Sequence, residues 1–311
     1  MADEVKRMNL FVSPHPHFSQ GLTTKKIMLT VCASLLPLCV WGVYLFGIRA
    51  LITILVSVAA CIAFDFLYKR VTKRGGPGTD GSAIVTGLLL AMVLPPAIPV
   101  WMTILGALFA IVAAKEFFGG LGANVFNPAL SGRAMLFISF PAAMTSWVAP
   151  FDGVSGATVL SGKAVSYVDM FIGREAGCIG ESSALLILIA FGALLALKII
   201  DWRAPVAMVA VVAVCTIISG NDVTEQVLSG GLLFGAVFMT TDYTTSPVTR
   251  GGRLVFGAGC GLITFLIRQF GGYPEGVMFS ILIMNILSPF LNNIIPKKYG
   301  YVKPVKKGGA K

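Results

Sequence analysis

The sequence predicts an all-α polytopic membrane protein of about ten transmembrane helices in two inverted five-helix repeats. Composition, the spacing of the apolar runs and a weak echo between the two halves of the chain predict it. Of the 311 residues, 56% are hydrophobic and only 12% are charged, against roughly 25% charged in soluble proteins. Mean hydropathy is +0.84. A soluble fold has no means of hiding that much apolar surface, so a cytosolic enzyme, a secreted disulfide domain and a disordered chain are set aside.

A helical span needs about 20 mostly apolar residues. Candidate spans fall at 27–47, 50–68, 83–98, 99–114, 127–145, 182–199, 204–220, 227–241, 253–270 and 276–295. The third ends at Pro95-Pro96, near half-helix length, and is expected to be broken. Gly119-Gly120-Leu121-Gly122-Ala123-Asn124, before the fifth, is expected to re-enter the membrane. Residues 1–24 are polar and resemble no cleaved signal, so the first span should be a permanent anchor.

With ten spans both termini share one side. That side carries 19 of the 24 Lys and Arg, the other carries Arg49, Lys163, Arg174 and Arg268, and Arg133 falls inside the fifth span. The bias places both termini in the cytoplasm. The formal charge of +10 therefore reads as flanking charge. The basic residues are scattered over loops, so no nucleic-acid partner is expected and lipid is.

The halves echo each other. Phe118-Gly119-Gly120 followed by Val125 matches Phe270-Gly271-Gly272 followed by Val277 at the same offset. Five spans per half is an odd number, so the halves would insert in opposite directions, as in many transporters. The expected division is a cytoplasmic segment 1–24, a first five-helix repeat 25–145, an exported loop 146–181, a second repeat 182–296 and a basic tail 297–311. Gly257 and Gly261 read as close helix packing. No dinucleotide fingerprint appears.

Metal chemistry finds little support. None of the six cysteines, Cys32, Cys39, Cys61, Cys178, Cys215 and Cys260, forms a C-x-x-C pair, and His15 and His17 both precede the first span. The long interspan loop contains Asp152-Gly153-Val154-Ser155-Gly156-Ala157-Thr158. On composition this is a turn-rich stretch, and Thr158 reads as a turn hydroxyl or a glycosylation site as readily as anything else.

Ser155-Gly156-Ala157-Thr158 after Asp152 resembles the flavinylation motif of the RnfD/NqrB family, membrane subunits of ion-translocating electron-transfer complexes. The likeness extends to Gly119–Ala129 with Gly132-Arg133, to Thr240-Thr241-Asp242-Tyr243 before Thr249-Arg250-Gly251-Gly252, to Ser13-Pro14-His15, and to Gly78-Thr79-Asp80-Gly81-Ser82. It covers nearly the whole chain, and the length fits the shorter, RnfD-like members. The resemblance implies FMN esterified through its phosphate to Thr158, with Asp152, Ser155, Gly156 and Ala157 around it, and a urea-channel-like fold. Gly156 would let the backbone take angles that other residues avoid. It further implies a bacterial inner-membrane subunit of a ferredoxin:NAD oxidoreductase (Rnf) complex, inactive alone. Its partners would be the Rnf subunits A, B, C, E and G, with the flavoprotein G on the outer, periplasmic side. Larger members also hold a noncovalent riboflavin, for which no local motif appears here.

Ionisable groups at membrane depth are costly and often functional. Arg133 offers a planar fork to a phosphate or flavin oxygen, or snorkels at a helix end. Asp242, among Thr240, Thr241, Thr244 and Thr245, suits a hard cation on an ion route or a turn cap. Asp80 has the same two readings. Lys115 and Glu116 are expected as a surface pair, and Asp65 as the i,i+4 partner of Lys69. The rival function is a small-solute channel or carrier without redox chemistry.

Overall fold

A computed structural model describes residues 23–73, 80–151, 166–181, 183–271 and 276–293. The regular elements among the described residues are all helices. Element order is α1 (Thr24–Phe46), α2 (Ile48–Val71), α3 (Ser82–Met92), α4 (Val100–Leu108), α5 (Pro128–Ser139), α6 (Pro141–Met144), α7 (Tyr167–Ile172), α8 (Ala184–Ala196), α9 (Arg203–Ser219), α10 (Val223–Leu228), α11 (Leu232–Phe234), α12 (Arg250–Phe270) and α13 (Val277–Leu291). Two π-helical segments extend this set: Phe109–Glu116 continues α4, and Gly235–Met239 continues α11.

Local chemistry sets the boundaries. The Thr23 hydroxyl accepts the Lys26 N–H at 3.3 Å to start α1, and Gly47, the single residue between α1 and α2, turns the chain at φ +69°. Asn127 caps α5, whose first residue is Pro128. Ser183 and Thr249 cap α8 and α12. Among the described residues only α1, α2 and α12 are long and apolar enough to cross a membrane by themselves. The other apolar elements are shorter.

The expected break in the third span is present. α3 stops at Met92, short of Pro95-Pro96, and nine of its eleven residues are buried. A broken helix at membrane depth exposes carbonyls that need partners. The segment before α8 supplies them: the Gly180 N–H donates to the Met92 carbonyl at 2.7 Å, the Ile179 N–H to Leu94 at 3.3 Å, and the Cys178 thiol to Val93 at 3.2 Å. Cys178, the one cysteine outside an apolar run, is therefore part of the latch on this break.

The core is continuous across α1–α5, α8, α9, α11, α12 and α13. α2 packs on α3 and α4, α9 on α12, and α12 on α13. Between these groups, α1 meets α8 and α5 meets α13, the latter with Phe137 edge-on to Phe279 at 5.8 Å. The α9–α12 contact is the close packing expected of Gly257 and Gly261: a Cβ at Gly257 would collide with the Ala204 carbonyl, and one at Gly261 would lie 2.5 Å from the Met208 carbonyl oxygen. Gly257→Ala should therefore force α9 and α12 apart at a cost of roughly 1–3 kcal/mol. Thermal unfolding in detergent measures this, with Gly192→Ala, where nothing lies within 4 Å, as the near-neutral control.

The elements gather into two ends. Thr24, Lys115, Ile199 and Ile200 meet at one end, together with Lys69, Lys198, Arg203 and Arg253, and Arg268 lies at the other, against Gln226 and Ser229. At the second end the Phe151 N–H donates to the Leu45 carbonyl at 3.1 Å, the Trp41 indole to the Ile172 carbonyl at 3.1 Å, and the Tyr167 hydroxyl to Asp222 at 2.5 Å.

Candidate functional site

The candidate site is a cavity of about 510 Å³ between the two groups of helices, at the end rich in basic residues. From the first half it is lined by α1, α3, Lys115 and the turn that leads into α5. From the second half come the end of α8 and the stretch Phe238–Thr244. Most of the wall is apolar, and its polar groups are few: Thr24, Ser82, Thr86, Lys115, Asn124, Asn127, Thr241, Asp242, Tyr243 and Thr244.

Each π segment delivers its last residues to this region. A π turn widens the helix and shifts the register of the residues after it, so the consecutive Lys115 and Glu116 both turn inward. This corrects the expected surface pair, for each is only 2% exposed. The Lys115 ammonium donates to Asp65 Oδ1 at 2.9 Å and to the Ser82 hydroxyl at 2.8 Å, with Glu116 Oε1 at 3.8 Å. Asp65, also 2% exposed, takes Lys69 on its other oxygen at 2.7 Å. The i,i+4 pair is thus present, but as the outer part of a buried network. A lysine closing an apolar run was the signal available in the sequence, and loop position was the wrong inference from it.

The turn 117–127 is not helical. Gly119, Gly120 and Gly122 all have positive φ (123°, 89° and 94°), which side chains other than glycine rarely adopt. A Cβ at Gly120 would also stand 3.4 Å from the Glu116 carboxylate. The turn brings buried Asn124 and Asn127 to the cavity. The Asn127 side chain accepts the Leu130 N–H at 3.3 Å. Its own N–H donates at 3.2 Å to Asn285 on α13, oriented so that it also donates to the Ile281 carbonyl at 3.3 Å.

Asp242 follows the second π segment. Its carboxylate accepts from the Thr244 hydroxyl (3.2 Å) and the Thr245 hydroxyl (3.1 Å), with the Thr244 N–H at 3.4 Å. The turn-capping reading is therefore present, and the same side chain also lines the cavity. Among the described residues no basic group lies within ion-pair distance of it. Asp80 caps α3, accepting the Ser82 N–H at 3.3 Å, and is not among the cavity-lining residues.

Arg133 lies away from this cavity. It is 4% exposed within α5 and pairs with Glu181 at 3.7 Å, so it is not a snorkelling helix-end residue. Glu181 also accepts the Cys178 N–H at 3.3 Å. Sequence reasoning missed Glu181 and its neighbour Glu175. Glu175 is 7% exposed, and its Oε2 has no hydrogen-bond partner among the described residues. Burial first and the Glu181 charge second push its carboxyl up to about 8. An unfolded glutamate releases its proton near 4.5, so between there and about 8 the folded chain holds a proton that the unfolded chain gives up. Stability then falls as pH rises through that window. Glu175→Gln should gain on the parent chain by up to ~1.4 kcal/mol per pH unit between about pH 5 and 8, read as a widening difference in melting temperature. The motif residues Asp152, Ser155, Gly156, Ala157 and Thr158 lie outside the described residues.

The sequence has known relatives. The profile of the NQR2, RnfD, RnfE family matches residues 11–300. The chain belongs to this family. The D subunit of the proton-translocating ferredoxin:NAD(+) oxidoreductase complex of Clostridium ljungdahlii is 39% identical, covering 96% of this chain and 99% of that one. Its counterpart in the Na(+)-translocating ferredoxin:NAD(+) oxidoreductase complex of Acetobacterium woodii is 40% identical, covering 97% and 99%. The D subunit of the ion-translocating oxidoreductase complex of Escherichia fergusonii is 34% identical, covering 94% and 98%. The chain is a member of a membrane family, as its composition predicts.

Proposed function

We propose that this chain is the D-type subunit of an ion-translocating ferredoxin:NAD oxidoreductase complex of the Rnf kind. It carries electrons through an FMN esterified to Thr158 and contributes part of the cation route. The observation that carries the reading is the end-to-end match with the D subunits, and the Ser155–Thr158 motif supports it. The motif segment starts after Phe151 and ends at Ser166, and both flanks are held at the end of the molecule opposite the cavity. With both termini in the cytoplasm, that end faces the periplasm, where the G-type flavoprotein of the complex would meet the flavin. When bound, FMN supplies reversible electron transfer, and the chain's part is to tether and place it. Subunits A, B, C and E complete the assembly in the bacterial inner membrane.

The inverted repeat also belongs to this reading. In chain order α1, α2, α3, α4 with its extension, and α5 correspond to α8, α9, α11 with its extension, α12 and α13. The main contacts that join the two groups, α1 with α8 and α5 with α13, are between equivalent elements, an arrangement that a pseudo-two-fold axis would produce. Arg133 and Asn285 are separated by the same offset as the Phe-Gly-Gly echo; Asn285 reaches Asn127 of the first repeat, and Arg133 reaches Glu181, just before the second repeat.

For the ion route, Asp242 with its threonine hydroxyls and cavity-facing position is the first candidate, and Asp80 is the weaker one because it only caps α3. The Clostridium and Acetobacterium relatives are named for different ions, so identity does not decide between proton and sodium. Sodium uptake by the reconstituted complex, with and without a protonophore, does. The cavity's volume and mostly apolar lining also suit a noncovalent riboflavin ring, held by Asn124, Asn127, Thr241 and Thr244. Flavin released on denaturation from the purified chain identifies that occupant. The primary test is mass spectrometry of the peptide spanning Thr158, from protein matured in its native host. An FMN ester is expected, and an unmodified peptide removes the redox reading in favour of a colourless channel.

A further inference from the structure

A second cavity, of about 470 Å³, adjoins the first at the basic end, formed by the end of α8, the starts of α9 and α12, and the residues after the second π segment. Its charged groups are Lys198, Arg203 and Arg253 against the single carboxylate of Asp201. Asp201 holds the two guanidinium groups side by side, with Oδ2 accepting from Arg203 at 2.7 Å and from Arg253 at 2.8 Å, while Oδ1 accepts the Arg203 N–H at 3.0 Å. One anion cannot balance two arginines and a lysine, so the pocket keeps an excess positive charge. The positive end of the α9 dipole adds to it.

Two features say what this excess serves. Lys198 has φ +55° where the chain turns out of α8, its N–H and that of Ile199 donating to the Leu195 and Leu194 carbonyls. Among the described residues its ammonium has no partner. Beside the pocket, Leu197, Trp202 and Val206 are exposed, and the Arg203 guanidinium lies 5.3 Å above the Trp202 ring. A charged pocket with an apolar, tryptophan-bearing shoulder at the end of two membrane helices suits a ligand with an anionic phosphate and hydrocarbon tails. A free phosphate has no use for the shoulder.

We propose that the pocket formed by Lys198, Arg203 and Arg253 binds the headgroup of an anionic phospholipid, whose acyl chains lie along Leu197, Trp202 and Val206. The site holds its lipid between the α8 end and the α9–α12 pair, next to the candidate ion cavity. Its existence does not depend on the flavin or on the coupling ion.

The test uses the full-length chain, purified in detergent and stripped of lipid, then offered dioleoylphosphatidylglycerol, dioleoylphosphatidylcholine or inorganic phosphate. Native mass spectrometry reads retained lipid, and thermal unfolding reads stabilisation. Phosphatidylglycerol should be retained and should stabilise, while phosphatidylcholine and phosphate should not. Lys198→Gly, which keeps a backbone that glycine adopts freely, and Arg253→Gln, which leaves Asp201 its Arg203 partner, should each weaken phosphatidylglycerol retention about fivefold. Equal retention of the two lipids overturns the proposal, as does equal stabilisation by phosphate alone. So does undiminished retention in Lys198→Gly. If the variants instead lose another protein from the purified complex while keeping their phosphatidylglycerol, the charges serve a protein partner and the lipid site is wrong.

Discussion

Lys115→Met is expected to destabilise the protein by about 3–5 kcal/mol, the cost of removing one partner from a buried ion pair. The lysine supplies both the Asp65 contact at 2.9 Å and the donor for Ser82 at 2.8 Å. Without it Asp65 keeps only Lys69, which approaches from the more open side, and Glu116 loses its nearest cation. Methionine matches the stem of lysine in length, so the loss comes from charge more than from volume. Adding Asp65→Leu to Lys115→Met should recover most of the stability, because replacing both members of a buried pair by apolar groups is often close to neutral. Thermal unfolding of the single and double variants in one detergent measures both. If the single variant melts with the parent, the network is structurally idle. Because Lys115 and Ser82 line the cavity, ion transport by the doubly substituted chain in a reconstituted complex separates a functional role from a packing one.

Thr158→Val should abolish covalently bound flavin while leaving membrane insertion intact. Valine keeps the shape of threonine and removes only the hydroxyl that a phosphoester requires, so the expected effect is total. Protein-bound yellow fluorescence in a denaturing gel is the readout. A fluorescent band in the variant would place the flavin elsewhere. Unchanged electron transfer in a whole complex carrying Thr158→Ala would reduce the chain to a scaffold.

The all-helical membrane class could be read from the apolar runs, whereas among the described residues only α1, α2 and α12 have the length of a full crossing. The broken third span was legible for a local reason: Pro95-Pro96 cannot continue a helix. The Gly257/Gly261 packing was also legible, since close approach of two helices needs small side chains at that spacing. Lys115 and Glu116 were not. A charged pair at the end of an apolar run looks the same whether it leaves the membrane or folds back, and only the π register turns both residues inward. Glu175 and Glu181 were missed because they sit in a segment that reads as a loop, and nothing local announces that it is drawn back against the end of α3. Arg133 was found by its depth, while its counter-ion, far along the chain, was beyond any local reading.

That last separation has a consequence during synthesis. When the ribosome has made α5 and nothing beyond, the guanidinium of Arg133 is already in place, and the carboxylate that answers it has yet to be translated. The N-terminal portion is an unfinished object in oil until its sequel arrives, and should be cleared by membrane proteases if the sequel fails. Severed versions of the gene should therefore yield product only when both pieces are expressed in the same cell.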